Sequence, residues 1–202
     1  MAKQPTQKQP PDWSGFASAL ADVLKWRSGQ GVAIALIGGL AVGVHATPRA
    51  TKDIDITVAT NARPATLLAS LADCNFVPAF AESAEIAAIS GVLPLRHSPS
   101  GAVVDLIFAR FAYQQDMVDR AVTLKVSGLA VPVVQVDDLC FLKLIAARPQ
   151  DIADTVAVLK ANQGIDRAAL LSRVQSFAEL VEQPELLDSA RAILMPLNDD
   201  AE

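Results

Sequence analysis

ALIGGLAVGVHATPRATKDIDITV, residues 35–58, is the stretch that decides the predicted fold. An apolar run leads into Gly38 and Gly39, and a short apolar segment with helix-like character follows. A second apolar run carries Asp53 and Asp55. Residues i and i+2 of a strand point to the same face, about 7 Å apart. The stretch therefore predicts a strand, a glycine turn into a short helix, and a second strand with two acids on one face.

These acids and glycines point to one chemistry. Two like charges side by side are costly to bury unless a cation lies between them, and Mg²⁺ prefers oxygen ligands. Paired glycines at the start of a helix let the backbone approach phosphate oxygens, with N–H groups and the helix dipole directed at them. A phosphate-binding turn beside a two-carboxylate metal site is what nucleotidyl transfer requires.

A third carboxylate, Asp105, interrupts the β-rich apolar run 102–108. On a neighbouring strand it would converge with the first two acids on one or two metal ions. In a two-metal site the third acid serves the ion that activates the attacking hydroxyl. The alternative is a structural acid paired with Arg96 or Arg110.

The order of these motifs resembles the DNA polymerase β-like nucleotidyltransferase superfamily, in which GG, a spacer, two acids on one strand and one acid on a later strand recur. The sequence of this stretch is also similar to that of the AbiEii/AbiGii toxin nucleotidyltransferases and their small bacterial relatives, in which GG-x-A-x-x-x-H precedes R-x-T-x-D-I-D. A further stretch, DLCFLKLIAARPQDIAD at 138–154, matches the pattern D-L-x-x-x-K-L-x-A-x-R-x-x-D-x-x-D. The resemblance spans roughly residues 31–160.

The resemblance implies an α+β nucleotidyltransferase fold, a mixed β-sheet flanked by helices with a helical C-terminal subdomain. It implies an enzyme that uses Mg²⁺ or Mn²⁺ and an NTP, an acceptor hydroxyl on RNA or protein, and a cognate antitoxin protein as a further partner. The metal and catalytic residues would be Asp53, Asp55 and Asp105. The nucleotide-binding residues would be Gly38, Gly39, Arg49, Thr51, Lys143 and Arg148.

Some of these side chains also have structural interpretations. Lys143 lies at the apolar face of a predicted helix, where a lysine either snorkels or meets an anion. Arg148 can instead form a local ion-pair cluster with Asp151 and Asp154, although Pro149 interrupts the helix between them. Arg49 and Thr51 can lie in an exposed loop.

The two histidines have no assigned chemistry. His45 is predicted to be a structural or capping group at the end of the short helix. His97, which precedes a turn, is predicted to be exposed.

Composition predicts a single domain, or one domain with a helical appendage, because the chain has 202 residues of which 51% are hydrophobic. The two cysteines, Cys74 and Cys140, have apolar surroundings and are predicted to be reduced core residues of a cytoplasmic protein. A net charge of −5 argues against broad binding of polyanions. The uncharged run 32–44 is too short to span a membrane.

The predicted organisation has four segments. Residues 1–11 form a disordered tail, 12–135 the nucleotidyltransferase core, 136–195 the helical C-terminal subdomain and 196–202 an acidic tail. Within the core, hairpins are predicted at 92–96 with 102–108 and at 123–126 with 131–134, and Asn61 is predicted to cap a helix.

Two other classes of function compete with this prediction. One is a catalytically inactive module that binds NTP or a partner. The other is a metal-dependent glycosyltransferase, which rests on Asp-x-Asp alone and leaves the upstream glycines unexplained.

Overall fold

The computed structural model of the chain describes residues 13–195. The predicted tails, 1–11 and 196–202, lie outside the described residues. Within the described part, the helices are α1 (Ser14–Gln30), α2 (Gly38–His45), α3 (Pro64–Ala72), α4 (Ser83–Ser90), α5 (Ala112–Asp119), α6 (Val136–Ala146), α7 (Pro149–Ala161), α8 (Arg167–Leu180) and α9 (Glu185–Leu194).

The strands of the described residues form one mixed sheet with the order β3-β4-β5-β2-β1-β7-β6. They are β1 (Ala33–Leu36), β2 (Asp53–Ala59), β3 (Phe76–Pro78), β4 (Val92–His97), β5 (Val103–Phe108), β6 (Val122–Val126) and β7 (Leu129–Val133). The β2–β5 and β1–β7 pairs are parallel, and the other pairs are antiparallel. A mixed sheet flanked by helices confirms the predicted α+β fold class.

Both predicted hairpins are present, as β4–β5 and β6–β7. The capping prediction for Asn61 is wrong, because α3 has Arg63 at its N-cap position and no side-chain cap. Pro64 instead determines where α3 begins, since its fixed φ suits the first helical turn and its missing N–H needs no partner there.

The sheet has a buried face and a face that carries the acids. Strand alternation puts Leu93, Leu95 and His97 of β4 on the face opposite Asp105. Helix α1 covers that face, since its Asp22 hydrogen-bonds His97. Helix α3 lies beside α1, with the Trp26 indole N–H donating to Ser70 at 2.9 Å. The side chains that fill this layer are fully buried and include Trp26, Leu20, Phe76, Leu93, Leu95 and Leu106.

On the acid-bearing side, α6 and α7 stand across a cleft from β2 and β5. Ala147, in the left-handed conformation with φ 51°, ends α6, and Pro149 is the first residue of α7. The chain turns sharply there, so residues of both helices face the cleft. The proposed division between core and C-terminal subdomain at residues 135 and 136 coincides with the start of α6 and stays a prediction. None of the described helices is long and apolar enough to cross a membrane.

Candidate active site

The acids of the two strand motifs meet on one face of the sheet. The parallel register of β2 and β5 sets Asp55 directly beside Asp105, and Asp53 lies two residues before Asp55. One oxygen from each of these three carboxylates lies within 4.8 Å of the others, and all three residues are half-buried. We call Asp53, Asp55 and Asp105 the acidic triad.

The alternative ion pairs for Asp105 are not formed among the described residues. Arg96 donates to the carbonyl oxygen of Gly101 at 3.1 Å. Arg110 donates to backbone carbonyls at the end of α4, including that of Ala87 at 2.6 Å. Asp105 therefore faces the other two acids without a cationic side chain to neutralise it.

The electrostatics of the triad favour a cation. Burial, followed by repulsion from Asp53 and Asp105, raises the pKa of Asp55 to about 6. Burial and the charge of Asp53 also raise the pKa of Asp105. A bound divalent cation would remove this repulsion, and three carboxylate oxygens are ligands that Mg²⁺ and Mn²⁺ accept. The residues present therefore fit a divalent cation.

The paired glycines lie against the triad. Gly38 opens α2 with φ +67°, and a Cβ there would stand 1.8 Å from the Oδ2 atom of Asp55. A Cβ on Gly39 would stand 2.6 Å from the Thr51 hydroxyl oxygen. Only glycine fits both positions without displacing a side chain of the site. The arrangement brings the N-terminus of α2 next to the acids, where its backbone N–H groups can meet an anion.

Thr51 contacts the triad directly. Its hydroxyl donates to the Oδ1 atom of Asp53 at 3.2 Å. This hydrogen bond orients the Asp53 carboxylate and shows that Thr51 does not lie in an exposed loop.

The three cationic candidates are held by two acids of α7. Arg49 binds Asp154 through two nitrogens, at 2.7 and 2.8 Å. Lys143 lies 2.7 Å from an oxygen of Asp151 and 3.0 Å from one of Asp154. Arg148 binds Asp151 at 2.6 Å. We call Asp151 and Asp154 the paired acids.

This network resolves two alternatives of the sequence analysis. Lys143 does not snorkel, because its side chain is only 10% exposed and both of its anionic partners belong to α7. Of the predicted local cluster of Arg148 with Asp151 and Asp154, the pair with Asp151 is formed, since Arg148 immediately precedes α7 and its side chain extends over the first turn. Asp154 pairs with Arg49 and Lys143 instead. The pair leaves 74% of the Arg148 side chain exposed.

The pKa values of the paired acids move in the direction opposite to those of the triad. Burial alone would raise the pKa of Asp151, but hydrogen bonds from Arg148 and Lys143 outweigh it and the pKa is lowered. The same balance lowers the pKa of Asp154, with Arg49, Gln150 and Lys143 as the partners that outweigh burial. These two acids are ionised and already neutralised by the protein.

The triad and the network enclose a cleft of about 870 Å³, a size that accommodates a nucleotide. It is lined by all nine residues predicted for the site, and also by residues without an assigned role, including Lys52, Ile107, Gln114, Leu139, Leu142, Gln150 and Asp151. The structure thus brings the predicted residues together, while their catalytic and binding roles stay predictions.

Sequence reasoning missed several buried polar residues. The prediction that His97 is exposed is wrong: its side chain is 0% exposed, with one ring nitrogen 2.9 Å from Asp22 and the other 2.7 Å from Ser100. The alternation of β4, which puts His97 on the face of Leu93 and Leu95, was the available signal. His45 is structural as predicted, since its ring nitrogen lies 2.8 Å from the carbonyl oxygen of Val134.

Asp138, the first residue of the stretch 138–154, is also fully buried. Arg120 binds it through two nitrogens, and Arg173 donates to it at 2.8 Å. The same guanidinium of Arg173 lies 4.6 Å from the ring centroid of Phe141. Asp138 thus joins α5, α6 and α8 behind the cleft, and no local sequence signal identified its two partners.

Comparison with solved structures supports the fold. The antibiotic-resistance factor ANT(2'')-Ia superposes with a TM-score of 0.57 at 13% identity, covering 84% of this chain and 97% of that one. The same factor in complex with adenylyl-2''-tobramycin gives a TM-score of 0.54 at 14% identity, over 88% and 97% of the two chains. An antigenic nucleotidyltransferase-like protein from Paracoccidioides brasiliensis gives 0.51 at 18% identity, over 91% and 95%.

No curated protein sequence matches the chain significantly. A family model described as "Nucleotidyltransferase of unknown function (DUF6036)" matches residues 19–175. The narrower resemblance to the AbiEii/AbiGii toxins stays a prediction. Because the match covers most of the chain and includes every residue of the triad and the glycine turn, the protein belongs to this nucleotidyltransferase family.

Proposed function

We propose that the protein transfers a nucleoside monophosphate from an NTP to a hydroxyl group of an RNA or protein acceptor, with Mg²⁺ or Mn²⁺ as cofactor. The observation that supports the proposal most strongly is the convergence of Asp53, Asp55 and Asp105 beside the Gly38-Gly39 turn. A role as one half of a toxin–antitoxin pair in the cytoplasm belongs to the proposal through the AbiEii/AbiGii resemblance alone.

In this proposal the chain's own residues bind and orient the nucleotide. The N-terminus of α2 at Gly38 and Gly39 receives the triphosphate, since neither residue has a side chain to exclude it. Arg148, largely exposed at the rim of the cleft, is the guanidinium with most freedom to turn towards the phosphates. Lys143 and Arg49 contribute positive charge from positions fixed by the paired acids.

The acidic triad would hold the metal. Bound there, the divalent cation supplies positive charge to the phosphate oxygens and favours ionisation of the acceptor hydroxyl. Asp53 is oriented for this by Thr51. In this proposal Asp105 of β5 faces the acceptor hydroxyl and helps to remove its proton. The hydroxyl oxygen bonds to the α-phosphorus, the bond from that phosphorus to the bridging oxygen breaks, and pyrophosphate leaves.

Labelled transfer tests the proposal. The protein is incubated with each α-labelled NTP, Mg²⁺ or Mn²⁺, and purified total RNA or an RNase-treated protein extract, and pyrophosphate release is followed in parallel. We expect metal-dependent label in an acceptor and a matching release of pyrophosphate. Nucleotide binding without either would indicate an inactive NTP-binding module. A parallel incubation uses a nucleotide sugar labelled in the sugar. Transfer of that label, without transfer from any NTP, would indicate a glycosyltransferase.

The Asp55→Asn variant and a matched control separate the triad from general charge effects. Asp188→Asn removes one negative charge from a side chain of α9 that is 80% exposed, and no residue of α9 lines the cleft. We expect it to transfer label like the wild type, while Asp55→Asn is inactive. Equal activity in the two variants would contradict the proposed role of the triad.

A further inference from the structure

Gln114 of α5 lines the cleft and has no role in the proposed function. Its side-chain oxygen Oε1 accepts two backbone N–H groups, from Arg110 at 2.9 Å and from Phe111 at 3.1 Å. A backbone N–H can only donate, so the atom that accepts both bonds is the oxygen, and its two lone pairs are used. The Nε2 amino group has no hydrogen-bond partner within residues 13–195. The side chain therefore offers a ligand in the cleft two N–H donors and no acceptor.

Helix α6 gives the cleft an apolar end and a charged end. Its lining residues share one face of the helix, at the spacing i, i+3, i+4, i+7, and are Leu139, Leu142, Lys143 and Ala146. The two leucines come first along α6, and the positive charges of Lys143 and Arg148 follow towards α7. The lining of the cleft therefore changes along α6 from apolar to cationic.

Gln114 lies at the apolar end. Tyr113, the preceding residue, packs edge-on against Phe141 of α6 with ring centroids 5.8 Å apart, so α5 meets α6 at the level of the two leucines. Ile107 lines the cleft from the sheet, two residues beyond Asp105 on the same face of β5 and about 7 Å from it. The apolar end of the cleft, as we use the term, consists of Ile107, Gln114, Leu139 and Leu142.

A nucleotide changes from charged to apolar in the same way. The proposed function places its triphosphate at the glycine turn and its α-phosphorus at the triad. The base, a flat and largely apolar ring with polar groups on its edges, then extends into the apolar end. Ligand pockets are typically lined by apolar side chains with a few polar groups that fix the orientation of the ligand. Gln114 occupies the position of such a group.

We infer that the Nε2 group of Gln114 donates to the nucleobase of the NTP and selects a base with an oxo group on the edge away from the ribose, as in guanine O6 and uracil O4. The inference rests on the proposed function and names the class of nucleotide that it uses. A glutamine amide that recognises adenine donates to N7 and accepts from the N6 amino group. The Oε1 atom of Gln114 is already engaged and cannot accept. Adenine and cytosine therefore direct an amino group at a donor, whereas O6 and O4 accept from it.

Gln114→Glu and Gln115→Glu form a matched pair of variants. Gln114→Glu keeps an oxygen for the N–H groups of Arg110 and Phe111, so the cap of α5 is retained, but it replaces the two donors with an acceptor. Gln115→Glu adds the same charge one residue later, on an exposed side chain that does not line the cleft. Gln114→Leu removes the donors without adding charge and is the second test variant. Thermal unfolding is measured for each.

Affinities are compared within two pairs of nonhydrolysable triphosphates, inosine against adenosine and uridine against cytidine, in the presence of Mg²⁺. Each pair exchanges an oxo group for an amino group on the edge away from the ribose. We expect the wild type and Gln115→Glu to bind the oxo member about tenfold more tightly. The preference should vanish in Gln114→Leu, and Gln114→Glu should prefer the amino member. A general effect of charge or stability changes both affinities of a pair alike and leaves their ratio unchanged.

Equal affinities within both pairs or a preference for the amino members in the wild type, or a preference for the oxo members that both Gln114 variants retain, would overturn the inference and leave the proposed function standing. Variants that alter transfer to the acceptor without changing the ratios would also overturn it, because Gln114 would then contact the acceptor. Failure of the wild type to bind any of the four triphosphates with Mg²⁺ would contradict the proposed function itself, and the inference with it.

Discussion

Two groups of carboxylates lie near the same cleft and differ in whether cationic side chains neutralise them. The paired acids, Asp151 and Asp154, bind Arg49, Lys143 and Arg148 at 2.6–3.0 Å. Their pKa values are lowered. In the acidic triad no Lys or Arg among the described residues forms an ion pair, and the pKa values of Asp55 and Asp105 are raised.

This difference in neutralisation distinguishes acids that stabilise the fold from acids that are available to bind a cation. Buried carboxylates with cationic partners contribute to the folded state, because removing one partner leaves an uncompensated charge. Clustered carboxylates without partners weaken the ligand-free fold and bind a cation strongly when one is present.

The largest effect concerns nucleotide binding by the triad. Asp53→Asn and Asp55→Asn should lower the affinity for an NTP in the presence of Mg²⁺ by more than about a hundredfold, since changes even to residues behind metal ligands cost about 10–100-fold. Calorimetry with a nonhydrolysable NTP measures this. The fold should be retained, as judged by circular dichroism, because neither acid has a cationic partner to lose. Metal-dependent binding of wild-type strength in both variants would refute the assignment.

The paired acids should respond in stability. Asp154→Ala removes the partner of Arg49 and one partner of Lys143, and should lower the free energy of unfolding by about 3 kcal/mol. Denaturant unfolding at pH 7 measures the change. Asp188→Ala is the matched control, because its pair with Arg191 is exposed at 3.6 Å and should be worth less than about 1 kcal/mol. Equal losses in the two variants would mean that the network does not stabilise the cleft.

A variant of Asp105 separates nucleotide binding from nucleotidyl transfer. Asp105→Asn should reduce transfer about a hundredfold and change nucleotide affinity by less than about threefold, because its assigned role concerns the acceptor hydroxyl. Single-turnover transfer and calorimetry on the same preparation measure the two quantities. A parallel fall in both would make Asp105 a nucleotide ligand rather than a residue of the acceptor side.

The smallest effect is the pH dependence of stability without metal. A carboxyl group with a raised pKa binds its proton more tightly in the folded state, so the stability it contributes is present at low pH and is lost as pH rises. For Asp55, with a pKa of about 6, the loss falls between about pH 4 and about pH 6. The paired acids act in the opposite direction and at lower pH, because their lowered pKa values cost stability only on strong acidification.

Denaturant unfolding of the metal-free protein across this pH range measures the effect. The free energy of unfolding of Asp55→Asn should decrease much less over this pH range than that of the wild type. The variant should therefore be more stable than the wild type at pH 8. The same pH dependence in both proteins would show that Asp55 carries no repulsion in the fold.

Local patterns predicted the acidic triad's strands but not the network opposite. Alternation within β2 puts Asp53 and Asp55 on one face, and the apolar run around Asp105 indicates a strand. Their convergence requires β2 and β5 to be parallel neighbours. The resemblance to the superfamily implied that the strands are adjacent, whereas periodicity alone does not predict which strands pair. The short strand β3, with only three residues, was missed because so short a run carries no measurable period.

The long-range ion pairs were unpredictable for a physical reason. Arg49 and Asp154 are separated by 105 positions, and their contact depends on how α7 packs beside the loop that connects α2 to β2. The Arg148–Asp151 pair, by contrast, spans three positions, and it is the part of the predicted local cluster of Arg148 with Asp151 and Asp154 that is formed. The prediction that His97 is exposed is wrong because the alternation of β4, and not the turn that follows, determines the face on which its side chain lies.

Binding of Mn²⁺ followed by electron paramagnetic resonance tests the central claim most directly, because Mn²⁺ is an accepted substitute for Mg²⁺ at carboxylate sites and needs no acceptor. Without nucleotide, whose phosphates would themselves bind Mn²⁺, the wild type should reduce the signal of free Mn²⁺ stoichiometrically. Asp55→Asn should not, while Asp188→Asn should bind like the wild type. Retained Mn²⁺ binding in Asp55→Asn, or none in the wild type, would contradict the account of the acidic triad as a metal site.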